Sequence, residues 1–445
     1  VKRAAFYVLG CKVNQYETEA MAGIFRRHGY EVVDFTAPAD VYIVHTCAVT
    51  QQAERKSRQV IRRAIRTNPE AVIAVTGCYA QIAADQIGGI PGVDVVIGTQ
   101  DRGKILAMVE QAAAERRPVR AVGDISQATR FEELPVYEYA SRTRASLKIE
   151  EGCDQFCAYC IVPYARGPVR SRDIAAIVAE AERLVAQGFK EIVLTGIHLG
   201  AYGKDTGGKP ELADVIEALY AVDGIVRLRI SSIEPTEVTD RLLHLLADSP
   251  KVCRHLHIPL QSGDDTVLRR MNRQYGTDEY AGVIARVRQA LPDVGISTDM
   301  IVGFPGETVE QFENTYRFAE TVGFSRMHIF QYSRRTGTPA AKMPDQVDPE
   351  EKERRSKRLL ALATRLAGEF HARFVGQTVE VLAERADPAT GLMEGLTGNY
   401  ARVLFPGSEA LHGKLVPVRI TAAGLEHLCG ELIPTAGRAE INRPD

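Results

Sequence analysis

Three apolar runs early in the chain, AAFYVLGC, DVYIVHTC and AVIAVTGC, are each the length of a strand and each end on a cysteine: Cys11, Cys47 and Cys78. Helical segments separate them, NQYETEAMAGIFRRHGY, opening at Asn14 and closing near Gly29, and TQQAERKSRQVIRRAIRTN. A further strand, VDVVIGT, and a further helix, DRGKILAMVEQAAAE, follow. Strand and helix in alternation predict a doubly wound parallel sheet. Ligands bind such sheets beyond the carboxyl ends of the strands. Cysteines 36 and 31 residues apart in sequence then collapse into one pocket. The plainer alternative is three separately buried thiols, since free cysteine is often buried; three strands that all end in Cys favour the shared site.

From Glu115 to Thr143 the periodicity fades, as expected of a linker. It returns with the strand RASLKIEEGC and continues through EIVLTGI, IVRLRISS, HLHIPL, VGISTDMIVGFP and RMHIFQYS, with helical runs between them. About six β/α units fit, fewer than the eight of a closed barrel, so an open, partial (β/α)6 barrel is expected. A long helical run then starts at Asp348, and short β-type pieces after Gly376 predict a small β barrel. The expected organisation is an α/β protein with an N-terminal domain at 1–114, a linker at 115–143, a core at 144–370, a small barrel at 371–435 and a tail at 436–445.

Charged residues make up 25% of the 445 and the net charge is −2, which neither demands nor excludes a polyanionic partner. No apolar run is long enough to span a bilayer, and VKRAAFYVLGC lacks the layout of a signal peptide. A cytoplasmic location is therefore expected, where eight cysteines point to metal binding or catalysis and not to disulfides.

The densest cysteine cluster is EEGCDQFCAYC, a C-x3-C-x2-C spacing that brings Cys153, Cys157 and Cys160 together with no fourth Cys or His following closely. Structural zinc wants four closed ligands. Iron–sulfur clusters are also held by thiolates at short spacings, and four irons on three cysteines leave one iron open to a substrate. GCDQFCAYC resembles the signature of the radical S-adenosylmethionine (SAM) enzymes, and LGCKVNQYE, HTCAVT and TGCYAQ ahead of it resemble the methylthiotransferases of that superfamily. HIPLQSGDDTVLRRMNRQY and STDMIVGFPGET are similar to further family blocks. The resemblance spans essentially the whole chain. LGCKVNQYE and GLTGNY are most like the branch acting on N6-threonylcarbamoyladenosine in tRNA.

This resemblance implies two 4Fe–4S clusters, one on Cys153, Cys157 and Cys160 that binds and cleaves SAM, and one on Cys11, Cys47 and Cys78 that delivers sulfur. It implies a methylthio group placed at C2 of the adenosine at position 37, in the tRNA anticodon loop. It also implies an electron donor such as a flavodoxin or ferredoxin, a sulfur source and a C-terminal RNA-binding TRAM barrel. Alternatives are the sister branch acting on isopentenyladenosine, an enzyme modifying an aspartate of a ribosomal protein, and a non-catalytic iron–sulfur or zinc RNA-binding protein. His45 stands where the family usually has Asn; a structural histidine is the expected role.

SAM contacts are expected at the carboxyl ends of core strands, from Tyr159, Thr195, Gly196, Ser231, Glu234, Gln261 and Asp299. No catalytic side chain beyond the cluster ligands is expected. Two basic segments, Arg55–Arg66 and Arg166–Arg172, begin beside expected ligands and are candidates for tRNA phosphate contacts. Arg166, Arg170 and Arg172 are also candidate donors to a threonylcarbamoyl carboxylate. Tyr400 suits either base stacking or a barrel core. Cys253 and Cys429 carry no motif and are expected to be ordinary thiols.

Overall fold

The computed structural model describes residues 1–137 and 143–434. Part of the expected linker and all of the expected tail at 436–445 lie outside the described residues.

The N-terminal domain is a parallel sheet of β1 (Arg3–Val8), β2 (Glu31–Val33), β3 (Val41–Thr46), β4 (Val72–Gly77), β5 (Val95–Ile97) and β6 (Val119–Ala121), in the order β2-β1-β3-β4-β5-β6. Strand β3 is buried on both faces. The reason is the period of two. Ile43 packs with Ala4, Ala74 and the helix α1 (Lys12–Arg27), while Tyr42 and Val44 pack with Ala5, Val75 and the helix α2 (Gln51–Thr67) on the other face. Two features differ from the sequence reading. The three-residue edge strand β2 was too short to show periodicity. The segment read as linker contributes β6, whose Val119, Arg120 and Ala121 pair with β5; without the sheet beside it, VRA carries no strand signal.

The core contains β7 (Arg144–Lys148), the antiparallel ribbon of β8 (Glu150–Glu151) and β9 (Arg170–Ser171), then β10 (Glu191–Thr195), β11 (Arg227–Ile230), β12 (His255–His257), β13 (Gly295–Val302) and β14 (Arg326–Gln331). Strands β7, β10 and β11 pair in parallel, as do β12, β13 and β14. Parallel bridges Leu228–Val252 and Ser232–His257 join the two runs into one arc. This is the open (β/α)6 barrel, with β7 and β14 at its ends. The β8–β9 ribbon carries the Cys153–Cys160 loop between its strands, at the carboxyl edge.

The long helix Pro349–Ala372 leads to a closed barrel of β15 (Thr378–Ala386), β16 (Met393–Thr397), β17 (Arg402–Phe405), β18 (Leu415–Ala423) and β19 (Leu428–Leu432), ordered β15-β16-β17-β19-β18. The β16–β17 turn docks under the core. Arg229 donates to the carbonyls of Gly398 (3.1 Å) and Thr397 (3.2 Å), and Arg227 to that of Leu396 (3.0 Å). Tyr400 in this turn has φ +70°.

Candidate metal centre and active site

Strands β1, β3 and β4 are neighbours, so their carboxyl ends bring Cys11, Cys47 and Cys78 to one edge. Cys11 is the N-cap of α1, Cys47 follows β3 directly, and Cys78 opens the short helix α3 (Cys78–Ile82). Glycines make this approach possible. Gly10 has φ +107°, and a Cβ there would lie 3.2 Å from Cys47 Sγ. Gly77 has φ +99°, and a Cβ would meet the Thr46 carbonyl at 2.4 Å. Both positions need glycine, for backbone conformation and for space.

The second triad sits on the loop after β8. Each triad has one thiol held by a buried arginine: Arg166 Nε donates to Cys78 Sγ and Arg273 Nη1 to Cys157 Sγ, both at 3.2 Å. The Val162 amide donates to Cys160 Sγ at 3.4 Å. Burial pushes the Cys47 and Cys160 thiols up to about 12 and also raises Cys11 and Cys153, with neighbouring cysteines adding to each rise. Val49 and Thr50, just after Cys47, line one cavity with Cys160, so the two cysteine loops face each other. Such thiols release their protons to a metal. The eight cysteines are free.

The donor sets fit iron–sulfur clusters better than single ions. Among the described residues, the side chains whose ligand atoms converge within 4.8 Å are His257, Asp299 and His328, and neither thiol triad is drawn that tightly. One zinc at about 2.3 Å from each sulfur would need the sulfurs within about 4 Å. Three thiols spread more widely, with arginine and amide N–H groups aimed at sulfur, suit a larger anionic cluster.

Between the loop after Cys47 and the loop that carries Cys160 lies a cavity of ≈210 Å3. Val49 and Thr50 from the Cys47 loop line one side, and Tyr159, Cys160, Gln261 and Asp299 the other. Tyr159, Gln261 and Asp299 thus meet beside Cys160; Gln261 adopts φ +67° there. Glu234 bonds Arg273, which reaches Cys157. Ser231 is buried at the end of β11, with Oγ lacking a partner among the described residues. Thr195 and Gly196 end β10 away from this cavity's lining. Thr195 Oγ1 donates locally to the Val193 carbonyl (3.3 Å), and a Cβ at Gly196 would meet Glu150 Oε2 at 2.6 Å.

The arginines after Cys160 are not where the sequence placed them. Arg166, Arg170 and Arg172 are at most 2% exposed. Arg166 Nη1 pairs with Glu17 (2.7 Å) and Glu151 (2.8 Å). Arg170 donates to the Pro168 (2.7 Å) and Arg166 (3.0 Å) carbonyls, and Arg172 pairs with Glu133 and Glu180, each at 2.7 Å. They are spent on closing the interface between sheet and barrel, so neither tRNA phosphates nor a substrate carboxylate can reach them. On α2, by contrast, Arg55, Lys56, Arg62, Arg63 and Arg66 are exposed.

Two family models match, the Radical SAM superfamily over residues 147–319 and the uncharacterized protein family UPF0004 over residues 3–98. The threonylcarbamoyladenosine tRNA methylthiotransferase MtaB of Bacillus subtilis is 48% identical over 96% of this chain and 96% of its own length. The chain belongs to the radical SAM methylthiotransferases. A second relative of the same name, from Aquifex aeolicus, is 37% identical over 94% of this chain and all of its own length. The tRNA-2-methylthio-N(6)-dimethylallyladenosine synthase of Pelotomaculum thermopropionicum is 37% identical over 97% of this chain and 98% of its own. Among solved structures, the radical SAM methyltransferase TsrM from Kitasatospora setae superposes with a TM-score of 0.58 at 18% identity, covering 76% of this chain and 77% of that one, a likeness of fold.

In this methylthiotransferase several site residues carried no signal in the sequence. Arg273 lies in RRMNRQY, where nothing separates it from the arginines around it. Glu17 lies within α1 and looks like an ordinary solvated helix charge, yet it is fully buried against Arg102, Lys148, Arg166 and His45. His45 proves structural: Nδ1 meets Thr18 Oγ1 (3.0 Å), Nε2 meets Glu17 (3.4 Å), and burial lowers it to about 3, so it is neutral. Among the described residues no helix is long and apolar enough to cross a membrane.

Proposed function

We propose that the protein converts N6-threonylcarbamoyladenosine at position 37 of tRNA to its 2-methylthio derivative in the cytoplasm. The observation that carries this reading is the cavity lined by Cys160 on one side and by Val49 and Thr50, just after Cys47, on the other, in a chain 48% identical to a relative named for that activity. Cys153, Cys157 and Cys160 hold one 4Fe–4S cluster and Cys11, Cys47 and Cys78 the other. With SAM bound, these groups would supply one-electron reduction, radical removal of the C2 hydrogen and the methylated sulfur that takes its place.

The chain's own residues position and shield. Arg273, tied down by Glu234, puts a fixed cation on Cys157, and Arg166 does the same for Cys78. Tyr159, Gln261 and Asp299 surround SAM, and the unpaired Ser231 Oγ is an available donor to it. The Cys47 and Cys160 loops close over the cavity and exclude water. Outside it, the basic face of α2 and the exposed rings of Phe156 and Tyr164, 5.6 Å apart, receive the anticodon loop by phosphate contact and stacking. The C-terminal barrel is a TRAM-type RNA-binding module. An external electron donor such as a flavodoxin or ferredoxin and a sulfur source complete the reaction.

Anaerobic reconstitution tests the assignment. It should load about eight irons per chain, the sum of two four-iron clusters. Replacing Cys11, Cys47 and Cys78 together should halve the iron and abolish methylthiolation while SAM cleavage persists; full iron retention refutes the ligand set. Incubation with tRNAs carrying threonylcarbamoyladenosine, isopentenyladenosine or plain adenosine tests the substrate. Product on the isopentenyl tRNA alone would move the protein to the sister branch.

A further inference from the structure

The barrel has a second chamber, below the one between the two cysteine loops. A cavity of ≈700 Å3 is lined by Lys12 from the N-terminal domain, Arg144 and Ser146 from β7, Val193 from β10 and Tyr400 from the small barrel. An adjoining groove of ≈550 Å3 shares Arg144 and Tyr400 and adds His255 and Arg326. Arginines crowd the Tyr400 ring: the guanidinium carbons of Arg229, Arg144 and Arg326 lie 4.7, 5.7 and 6.0 Å from its centroid. Its other neighbour is the His255 ring, at 4.7 Å.

The larger cavity is net cationic, with Lys12, Arg144 and Arg385 against Glu384, while the groove sets Arg144, Arg326 and Arg402 against Glu384, Glu394 and Glu426. Arg144 pairs with Glu384 at 2.9 Å and Arg229 with Glu191 at 2.7 Å. Among the described residues, Lys12 and Arg326 have no carboxylate at ion-pair distance, and both are exposed to the space beside them. These two cations, one lining each of two spaces that share Arg144 and the clamped Tyr400 ring, suit an anion.

Strand register says which anion reaches it. Asp299, which lines the cavity beside Cys160, pairs with His328, and Ser297 pairs with Arg326. Arg326 is therefore two residues below His328 on the same strand face, about 7 Å further from the cluster edge. Lys12 follows Cys11 directly and so stands at the seam between the N-terminal triad and this chamber. A threonylcarbamoyl arm carries its carboxylate four bonds from N6, a reach of about 5 Å. An adenine held beside Cys160 with N6 towards the barrel interior would direct its carboxylate past Asp299, His257 and His328, and the long Arg326 and Lys12 side chains would span the rest of the distance. An isopentenyl arm would leave those cations unpaired, which is how a polar site rejects the wrong substrate.

We propose that Lys12 and Arg326, braced by Tyr400 and Arg144, form the carboxylate subsite that selects the threonylcarbamoyl arm. This assignment rests on the substrate reading above. It replaces Arg166, Arg170 and Arg172, which are buried in internal pairs.

The test is equilibrium binding to the anaerobically reconstituted enzyme of three forms of one tRNA: with threonylcarbamoyladenosine, with that arm as its methyl ester, and unmodified. Wild-type protein should prefer the free carboxylate over the ester by roughly tenfold or more, the effect of one charge-assisted hydrogen bond. Lys12→Met with Arg326→Met should bring the preference to within about twofold, and Lys12→Arg with Arg326→Lys should restore most of it. Iron content and melting temperature, measured alongside, establish that the double variant is folded and loaded. A double variant that keeps the preference overturns the proposal. Equal weakening for all three tRNAs also overturns it, and makes the chamber a backbone-phosphate site. Wild-type protein that modifies only isopentenyl tRNA overturns the substrate reading and the subsite with it, a result distinct from either.

Discussion

Replacing Glu17 by Gln should destabilise this protein more than any exposed charge change, because three cations and a neutral imidazole converge on one buried carboxylate. Glu17 lies 2.5 Å from Arg102 Nη1, 2.7 Å from Arg166 Nη1, 2.7 Å from Lys148 Nζ and 3.4 Å from His45 Nε2. Burial opposes its charge, but Arg102, Arg166 and Lys148 outweigh burial and hold the carboxyl well below its usual range. Glu151, bonded to Lys148 and Arg166, and Glu132, bonded to Arg102, supply the rest of the negative charge. The cluster is near balance, and Glu17→Gln leaves one surplus cation in a fully buried site. Breaking a buried pair from one side costs about 3–5 kcal/mol. In a domain of this size that lowers the melting temperature by roughly 6–20 °C. The control is Glu313→Gln, which breaks the half-exposed pair with Arg358 and should cost only about 0–1 kcal/mol. Anaerobic calorimetry of the three proteins decides. A Glu17→Gln protein melting within about 2 °C of wild type would refute the argument that this network joins the N-terminal sheet to the barrel.

Gly77→Ala should cost the N-terminal cluster and spare the other, since φ +99° and the Thr46 carbonyl leave no room for a Cβ and the strain falls on Cys78; reconstituted iron should drop from about eight to about four per chain, and full loading would contradict it. Neutralising Arg55, Lys56, Arg62 and Arg63 on the exposed face of α2 should weaken tRNA binding and reduce the slope of log affinity against log salt by roughly 0.7–0.9 for each phosphate no longer neutralised; an unchanged slope returns the face to simple solvation. His255 gives a pH signature. Burial, then Arg229, His257, Lys12 and Arg326, hold it well below its usual value in the fold, so below pH 6.5 the unfolded chain binds the extra proton. Its contribution is complete above that pH and is lost as pH falls, by up to about 1.4 kcal/mol per unit. Denaturant titrations at pH 7 and 5.5 should show a smaller acid loss for His255→Gln than for wild type, and parallel losses would refute the assignment.

What the amino-acid sequence determines by itself is local and periodic. Alternating apolar runs and helical segments specified the parallel sheet, the open barrel and the small β barrel, because each strand and helix carries its own pattern. Short spacing placed Cys153, Cys157 and Cys160 together, and three strands ending in Cys predicted that Cys11, Cys47 and Cys78 share an edge. Tertiary structure alone decided the rest. The alternation in VYIVHT and the charge of Glu17 look equally ordinary in one dimension, yet packing between domains makes Glu17 the hub of a buried network. The run YARGPVRSR looks like a cationic surface, but β9 is tucked between sheet and barrel, and its arginines are consumed internally. Lys12, Tyr400 and Arg326 come from three different parts of the chain. Lys12 and Arg326 each come beside Tyr400 because the β16–β17 turn is clamped beneath β11 while α1 lies against β7. The charge of a side chain is written in its residue type; whether that charge faces water, a buried partner or a ligand depends on what the rest of the chain packs against it.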